Sequence, residues 1–586
     1  MLAMLANFQV FAAACTTSGG YIQAKNSGAY TYVSPPANIY IPMAYDTTNP
    51  PAVISPLGVN FEESKITDTM WINGNIETRM GPAWSQMKSM RFPGGAIAER
   101  YITYLNADSR MTSAVNYKDI YQDVGSGVLT PYTDTGSMNY KEFVTHARLT
   151  QVTSLYITLN VQEAFGRCVP AGSATDIPTA MGQACLRDIT MGNYDPKDSP
   201  HVQFGNIGSA LDKYATEGQS LVNRIQTEIN AQSSSNPSWI VPAIHVEIGN
   251  EVNYASSPYP LDKFQYSGAV QKYGAKIRAL ALNNNTTYKI GASGKIGTPA
   301  WWAQLEISGV ADKWDFTVLH RYGQALFMNP TLSNSNCEIT DDPGDRGTKT
   351  GKRGPFDSVN NKYPCRNTAW TEQNKTSDIN DHITATGNRQ VAITEWNAAD
   401  ISTTTIPLPV KNTWWLDSRD PPGGYDTPPL TPMQVAVNNV GTIGEWLGVT
   451  PGKLLGALLW PGTYSTDADY RSLFTFTPTP VITALTNGMD LVSDALNGKF
   501  KRFANSATTG KNSVIWQTQK YATRFVVIAN AGPDMMRVPL TFATGDTGVL
   551  TAKSIDNPGV SCTYTPTTIA GVDVDKESIT VLKLTN

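Results

Sequence analysis

Eight short apolar runs rich in β-branched residues mark the chain: Leu57 to Phe61, Ser89 to Phe92, Leu155 to Asn160, Ile244 to Ile248, Lys289 to Ala292, Asp315 to Leu319, Gln390 to Thr394 and Leu455 to Leu459. Each ends in polar or Gly residues, and most are followed by a stretch of helical periodicity. This alternation predicts parallel strands joined by crossover helices, and eight is the number that closes a (β/α)8 barrel. Between the runs, Ser209 to Asn230 and Leu261 to Leu282 read as amphipathic helices, the first with Leu211, Tyr214, Leu221, Ile225 and Ile229 on one face. They are expected in the outer ring.

The pattern changes after Phe474. Ser513 to Thr518, Arg524 to Ala529, Val538 to Phe542 and Ser578 to Leu584 alternate apolar with polar residues and are separated by Gly, Asn and Pro turns. That pattern predicts an antiparallel β-sandwich, to which strands between Gly20 and Pro56 are expected to add. The fold class is therefore α/β, a TIM barrel over 57–473 with an accessory sandwich formed by 20–56 and 474–586. Three connections, Tyr101 to Thr150, Gln162 to Gly208 and Tyr322 to Thr386, exceed ordinary βα loops and are expected to shape a cleft on the catalytic rim.

With 41% hydrophobic and 16% charged residues the chain is a folded one, and its net charge of -4 offers no footprint for nucleic acid. Residues 1–19 resemble a secretion signal, apolar through Leu2, Leu5, Phe8, Val10 and Phe11, although no Lys or Arg precedes Lys25. Ala13-Ala14-Cys15 matches a lipoprotein cleavage site and makes Cys15 a candidate lipid anchor. The chain is thus expected to be secreted or held at the cell surface. In that setting Cys168 with Cys185 and Cys337 with Cys365 are expected to staple long loops as disulfides. No cysteine or histidine spacing suits zinc, and neither metal nor cofactor is expected.

Candidate chemistry lies at two strand ends. The run Ile244-His-Val-Glu-Ile-Gly-Asn-Glu251 delivers Asn250 and Glu251 to a carboxyl end, and Gln390-Val-Ala-Ile-Thr-Glu395-Trp does the same for Glu395. All carboxyl ends of a barrel face one rim, so two glutamates distant in sequence can converge. Two carboxyl groups, one protonating the leaving oxygen and one attacking the anomeric carbon or activating water, are what glycosidic cleavage needs.

Gly249-Asn250-Glu251 on the fourth strand and Thr394-Glu395-Trp396 on the seventh resemble the two catalytic motifs of clan A glycoside hydrolases. Met90-Arg91-Phe92-Pro93-Gly94-Gly95 and Leu57-Gly58-Val59-Asn60-Phe61-Glu62 are similar to motifs of its α-L-arabinofuranosidase and heparanase/β-glucuronidase families. The resemblance implies a retaining double displacement, with Glu251 as general acid/base and Glu395 as nucleophile. It further implies that Asn250 hydrogen-bonds the sugar 2-hydroxyl and that Arg91 keeps the nucleophile charged. Tyr322, or else His320 two residues before it, would stand by the nucleophile. Asn160, Trp460 and Glu62 complete the expected substrate-binding set, Trp460 by stacking on a sugar ring.

Two other readings share this fold: an inverting hydrolase or other carboxylate-dependent lyase, and a non-catalytic carbohydrate-binding or cell-surface protein. Activity of Glu251→Gln against wild type separates an enzyme from a binding protein. Between residues 345 and 366, Arg346, Lys349, Lys352, Arg353, Lys362 and Arg366 outnumber Asp345 and Asp357. A basic lid over the cleft would favour an anionic glycan.

Overall fold

In the computed structural model the described residues of the barrel region are 53–60, 84, 86–95, 98, 140–162, 207–253, 261–280, 288–322, 376–397 and 432–460. Beyond them the structure describes 473–476, 480–502, 508–509, 513–530, 535–543, 545–555, 557–565, 568–575 and 578–585, with short strand segments at 17–18, 20–23, 32–33, 39–41, 121–123, 129–131 and 463–464.

Eight parallel strands close the expected barrel: Leu57–Asn60, Ser89–Phe92, Ser154–Leu159, Ala243–Ile248, Tyr288–Ser293, Phe316–Tyr322, Gln390–Asn397 and Leu454–Leu459. Numbered in that order, strand eight pairs with strand one to complete the ring. Helix Ile207–Ser235 precedes strand four, and helix Lys263–Arg278 joins it to strand five. The second helix starts at a capping box, Asp262 accepting from the Gln265 backbone while the Gln265 side chain accepts from the Asp262 N–H. The first helix contains the segment Ser209 to Asn230 read from the sequence, whereas the second lies inside the longer segment Leu261 to Leu282. Helix Ala484–Leu496 does not follow from the strand-like alternation expected after Phe474, although Leu485, Met489, Val492 and Leu496 are spaced as one buried helical face.

The barrel interior is built in tiers. Tyr156, Phe316, Val318, Ala392 and Leu458 form a separate apolar cluster, and the His245 ring lies 4.6 Å from Tyr156 and 5.8 Å from Phe316. Farther along the same strands stand Thr158, Glu247 and Thr394, all fully buried. The lower tier is thus a plug that supports a polar one.

The eight-stranded sheet of the accessory unit is antiparallel throughout, running from Asn557–Tyr564 at one edge to Val53–Ile54 at the other. A six-stranded sheet faces it, and here the N-terminal segments Tyr21–Gln23, Tyr32–Val33 and Ile39–Ile41 pair in parallel with C-terminal strands. Ile515, Val526, Leu582 and Leu584 from the first sheet and Ile22, Val538, Val572 and Val574 from the second share one core. The other face of the larger sheet packs on helices Pro432–Trp446 and Ala484–Leu496, where Trp516 Nε1 donates to the Val440 carbonyl at 3.1 Å. Glycine is required at 444, because a Cβ there would meet Trp516 Cδ1 at 2.1 Å.

Two buried histidines make the fold acid-sensitive. Burial, reinforced by Lys289, pushes His245 down from 6.5 to about 3, and burial with Arg321 pushes His382 down from 6.5 to about 4. Below pH 6.5 the unfolded chain binds these protons and the folded chain does not. Stability is therefore complete above that pH and is lost as pH falls toward 4 and then 3, each unit of separation being worth about 1.4 kcal/mol. Urea midpoints measured between pH 7 and pH 4 should fall steeply for wild type and less steeply for His245→Gln. An equal fall in both would remove His245 from the explanation.

Candidate active site

Strand four ends in a turn that aims a carboxylate inward. Gly249 has φ 78° and Glu251 φ 47°, so a glutamate occupies the left-handed region that side-chain-bearing residues avoid. Strand seven uses a different device. Leu319 pairs with Ile393 but His320 pairs with Glu395, so Thr394 is an extra residue in a bulge. Alternation would send consecutive side chains to opposite faces, and a bulge re-aims one of them. Here both Thr394 and Glu395 reach the polar interior: Thr394 Oγ1 donates to Glu247 at 3.4 Å, and Glu395 accepts from Arg91 Nη1 at 2.6 Å.

Glu251, Glu395 and His320 converge. His320 Nδ1 lies 3.1 Å from Glu251 Oε1 and 3.3 Å from Glu395 Oε2, and one oxygen of each glutamate lies within 4.8 Å of the other and of the ring nitrogen. The two carboxylates differ in surroundings. The Glu395 side chain is 5% exposed and held by a guanidinium, whereas that of Glu251 is 25% exposed and contacts the imidazole. Asn60 Nδ2 also donates to Glu395 Oε1 at 3.4 Å. Gly94, at φ 71°, leaves space for Asn60, since a Cβ there would lie 2.1 Å from Asn60 Oδ1.

Arg91 is fully buried and serves three partners. Its Nε and Nη2 donate to Glu247 at 3.0 and 2.7 Å, Nη2 also to Asn250 Oδ1 at 2.9 Å, and Nη1 to Glu395. Burial works against its charge, but Glu247 and Glu395 outweigh that effect and raise its pKa, so the guanidinium stays ionised. Glu251, His320 and Glu395 are also the described residues with atoms close enough to share a metal ion. Arg91 already supplies a fixed positive charge to Glu395, and a cation beside it would be repelled.

Of the residues expected from sequence, Arg91, Asn250, Glu251, His320 and Glu395 therefore form one hydrogen-bonded constellation. Asn160 directly follows strand three, its carbonyl accepting from the Tyr273 hydroxyl. Trp460 follows strand eight half-buried, and its carbonyl accepts from Asn397 Nδ2 at 2.7 Å. Tyr322 closes strand six opposite Asn397, and its side chain lies outside the described residues. So do Glu62, Cys15, the cysteine pairs 168/185 and 337/365, and the basic segment 345–366. Glu247 was not singled out as a functional candidate in the sequence, although a glutamate two residues from His245 in an otherwise apolar strand marks the barrel interior.

No protein-family model matches the chain, and no curated protein sequence matches it. Its fold is shared with solved structures. The GH51 arabinofuranosidase from Xanthomonas axonopodis pv. citri is 13% identical, with a TM-score of 0.51 over 93% of this chain and 99% of that one. The α-L-arabinofuranosidase from Thermotoga maritima, solved with arabinose, is 13% identical, with a TM-score of 0.52 over 94% of this chain and 100% of that one. At these identities the likeness is one of fold, a closed eight-stranded parallel barrel with an accessory β unit.

Proposed function

We propose that this chain is a retaining glycoside hydrolase, with Glu395 attacking the anomeric carbon and Glu251 protonating the leaving oxygen. One observation carries the reading: a buried, guanidinium-bound carboxylate and a more exposed one face each other with oxygens within 4.8 Å, bridged by His320. Retaining enzymes hold the two carboxyl groups about 5 to 5.5 Å apart, and inverting enzymes about 6.5 to 9.5 Å to admit a water. The close approach supports retention.

The contacts support the division of roles. Arg91 holds the attacking group in the resting site and releases it to bond with carbon. Glu251 touches no guanidinium among the described contacts and is open to solvent, as a group that must give a proton to the leaving oxygen and later take one from water should be. Asn250 Oδ1 is held by Arg91, so the donor of that side chain is its amide NH2, which a sugar 2-hydroxyl oxygen can accept from. Every step so drawn uses side chains of this chain.

Arabinofuranosides are the first substrates to test, because the two solved structures described above are arabinofuranosidases. A uronic-acid glycan is the second, favoured by the basic segment 345–366. Export to the cell surface, with Cys15 as anchor, belongs to the same proposal. Aryl glycosides and both polysaccharide classes should be incubated with the protein and the first-formed anomer read by proton NMR. Retained configuration is expected, and Glu251→Gln should lose turnover of the natural glycan. An inverted first product rules out double displacement, and glycan binding without any turnover would favour the non-catalytic reading.

A further inference from the structure

We infer that Glu247 is the positioning residue that divides the Arg91 charge and so sets how much of it reaches Glu395. The inference rests on the glycosidase reading for its link to rate, but its charge argument stands on geometry. Glu247 receives three of the Arg91 N–H···O contacts, from Nε at 3.2 and 3.0 Å and from Nη2 at 2.7 Å, while Glu395 receives the single contact from Nη1 at 2.6 Å. Both Arg91 and Glu247 are fully buried, so solvent screens little of the interaction.

Two consequences follow from the fork shape of a guanidinium. Held by one edge, it cannot turn, so Nη1 is fixed on Glu395 while Nη2 is fixed on Asn250. One buried carboxylate thereby orients both the attacking group and the side chain assigned to the 2-hydroxyl. The second consequence is electrostatic. A full guanidinium charge spent on Glu395 alone would make that carboxylate more acidic and a weaker nucleophile, and Glu247 takes up the larger part of it.

The other groups facing this pair leave that division intact. Thr158 and Thr394 hydroxyls donate to Glu247 Oε2 at 3.3 and 3.4 Å and carry no charge. Tyr156 below is held neutral, its phenol raised by burial and by Glu247. Glu395 itself is faced by Asn60 from strand one, His320 from strand six and Glu251 from strand four.

The test is a carboxyl-carbon NMR titration of Glu395, its signal assigned by subtraction with Glu395→Gln, in wild type, Glu247→Asp and Glu247→Gln. Gln keeps the shape and an accepting oxygen but not the charge, and Arg91 retains Glu395 and Asn250 as partners. Asp keeps the charge at shorter reach. Glu395 should titrate about one unit or more lower in Glu247→Gln than in wild type, with Glu247→Asp in between. The acid limb of kcat/KM should move with it, and kcat should fall on the order of tenfold or more with KM changed much less. Should Glu247→Gln not fold, the Glu247→Asp shift decides the matter by itself. A Glu395 titration identical in wild type and in the folded variants overturns the inference, even if activity drops, because a merely structural role would lower rate without moving that carboxyl. Wild type that turns over no glycoside would instead count against the glycosidase reading, and the carboxyl titration would still decide the charge division.

Discussion

Glu395→Ala and Glu251→Ala should each lose turnover of a natural glycan by on the order of ten-thousandfold, yet fail in different ways. On the proposed mechanism, no covalent intermediate forms without Glu395. Without Glu251, an aryl glycoside with a good leaving group can still glycosylate Glu395, and the intermediate then waits for a base that is missing. Azide needs no deprotonation, so it should rescue Glu251→Ala and yield a glycosyl azide of retained configuration. Added to Glu395→Ala, the same anion can only attack from the vacated side, giving the inverted product. NMR of the two azides assigns the roles, and exchanged configurations would mean that acid/base and nucleophile have been taken the wrong way round. Arg91 and Asn60 both grip Glu395, and that is the ground for expecting this direction.

The second large effect is on stability. Arg91→Met should destabilise the fold by about 3 to 5 kcal/mol, since it strips the buried Glu247 carboxyl of its guanidinium and leaves it, among the described residues, with the Thr158 and Thr394 hydroxyls. Its activity should fall as well, because Asn250 and Glu395 lose the group that aligns them. The diagnostic measurement is the pair. Adding Glu247→Gln to Arg91→Met removes the stranded carboxyl group and should restore a large part of the lost stability, whereas two independent sites would simply add their losses. Additive denaturation midpoints would show that the buried ion pair is not what holds the barrel interior together.

Much of this arrangement is legible from the amino-acid pattern. Strand two is bounded at Ser89 and Phe92 in the pattern and in the structure alike, because apolar runs report strands buried on both faces. Strands six and seven run three residues past their expected ends at Leu319 and Thr394. His320-Arg321-Tyr322 and Glu395-Trp396-Asn397 pair with each other through backbone, a contact to which hydrophobicity is blind. The bulge at Thr394 is hidden for the same reason: register depends on the neighbouring strand. Asn557–Tyr564 escaped notice because Pro558 and Gly559 read as a turn, and the sheet accepts them there because that strand lies at its edge. The candidate site shows the same division. Glu251 and Glu395 stand at strand ends where motif and position agree, while Glu247 is concealed within a run whose apolar neighbours face outward.

The left-handed backbone at Glu251 also bears on how such a chain responds to selection. A side chain in that region costs on the order of 1 kcal/mol or more relative to glycine, and asparagine tolerates it better than glutamate. A library sorted for heat resistance alone should therefore enrich Gly or Asn at position 251 and discard the proposed acid/base without disturbing the barrel. Directed evolution of a sturdier protein needs turnover in the screen from its first round, because robustness and chemistry favour different residues at this one position.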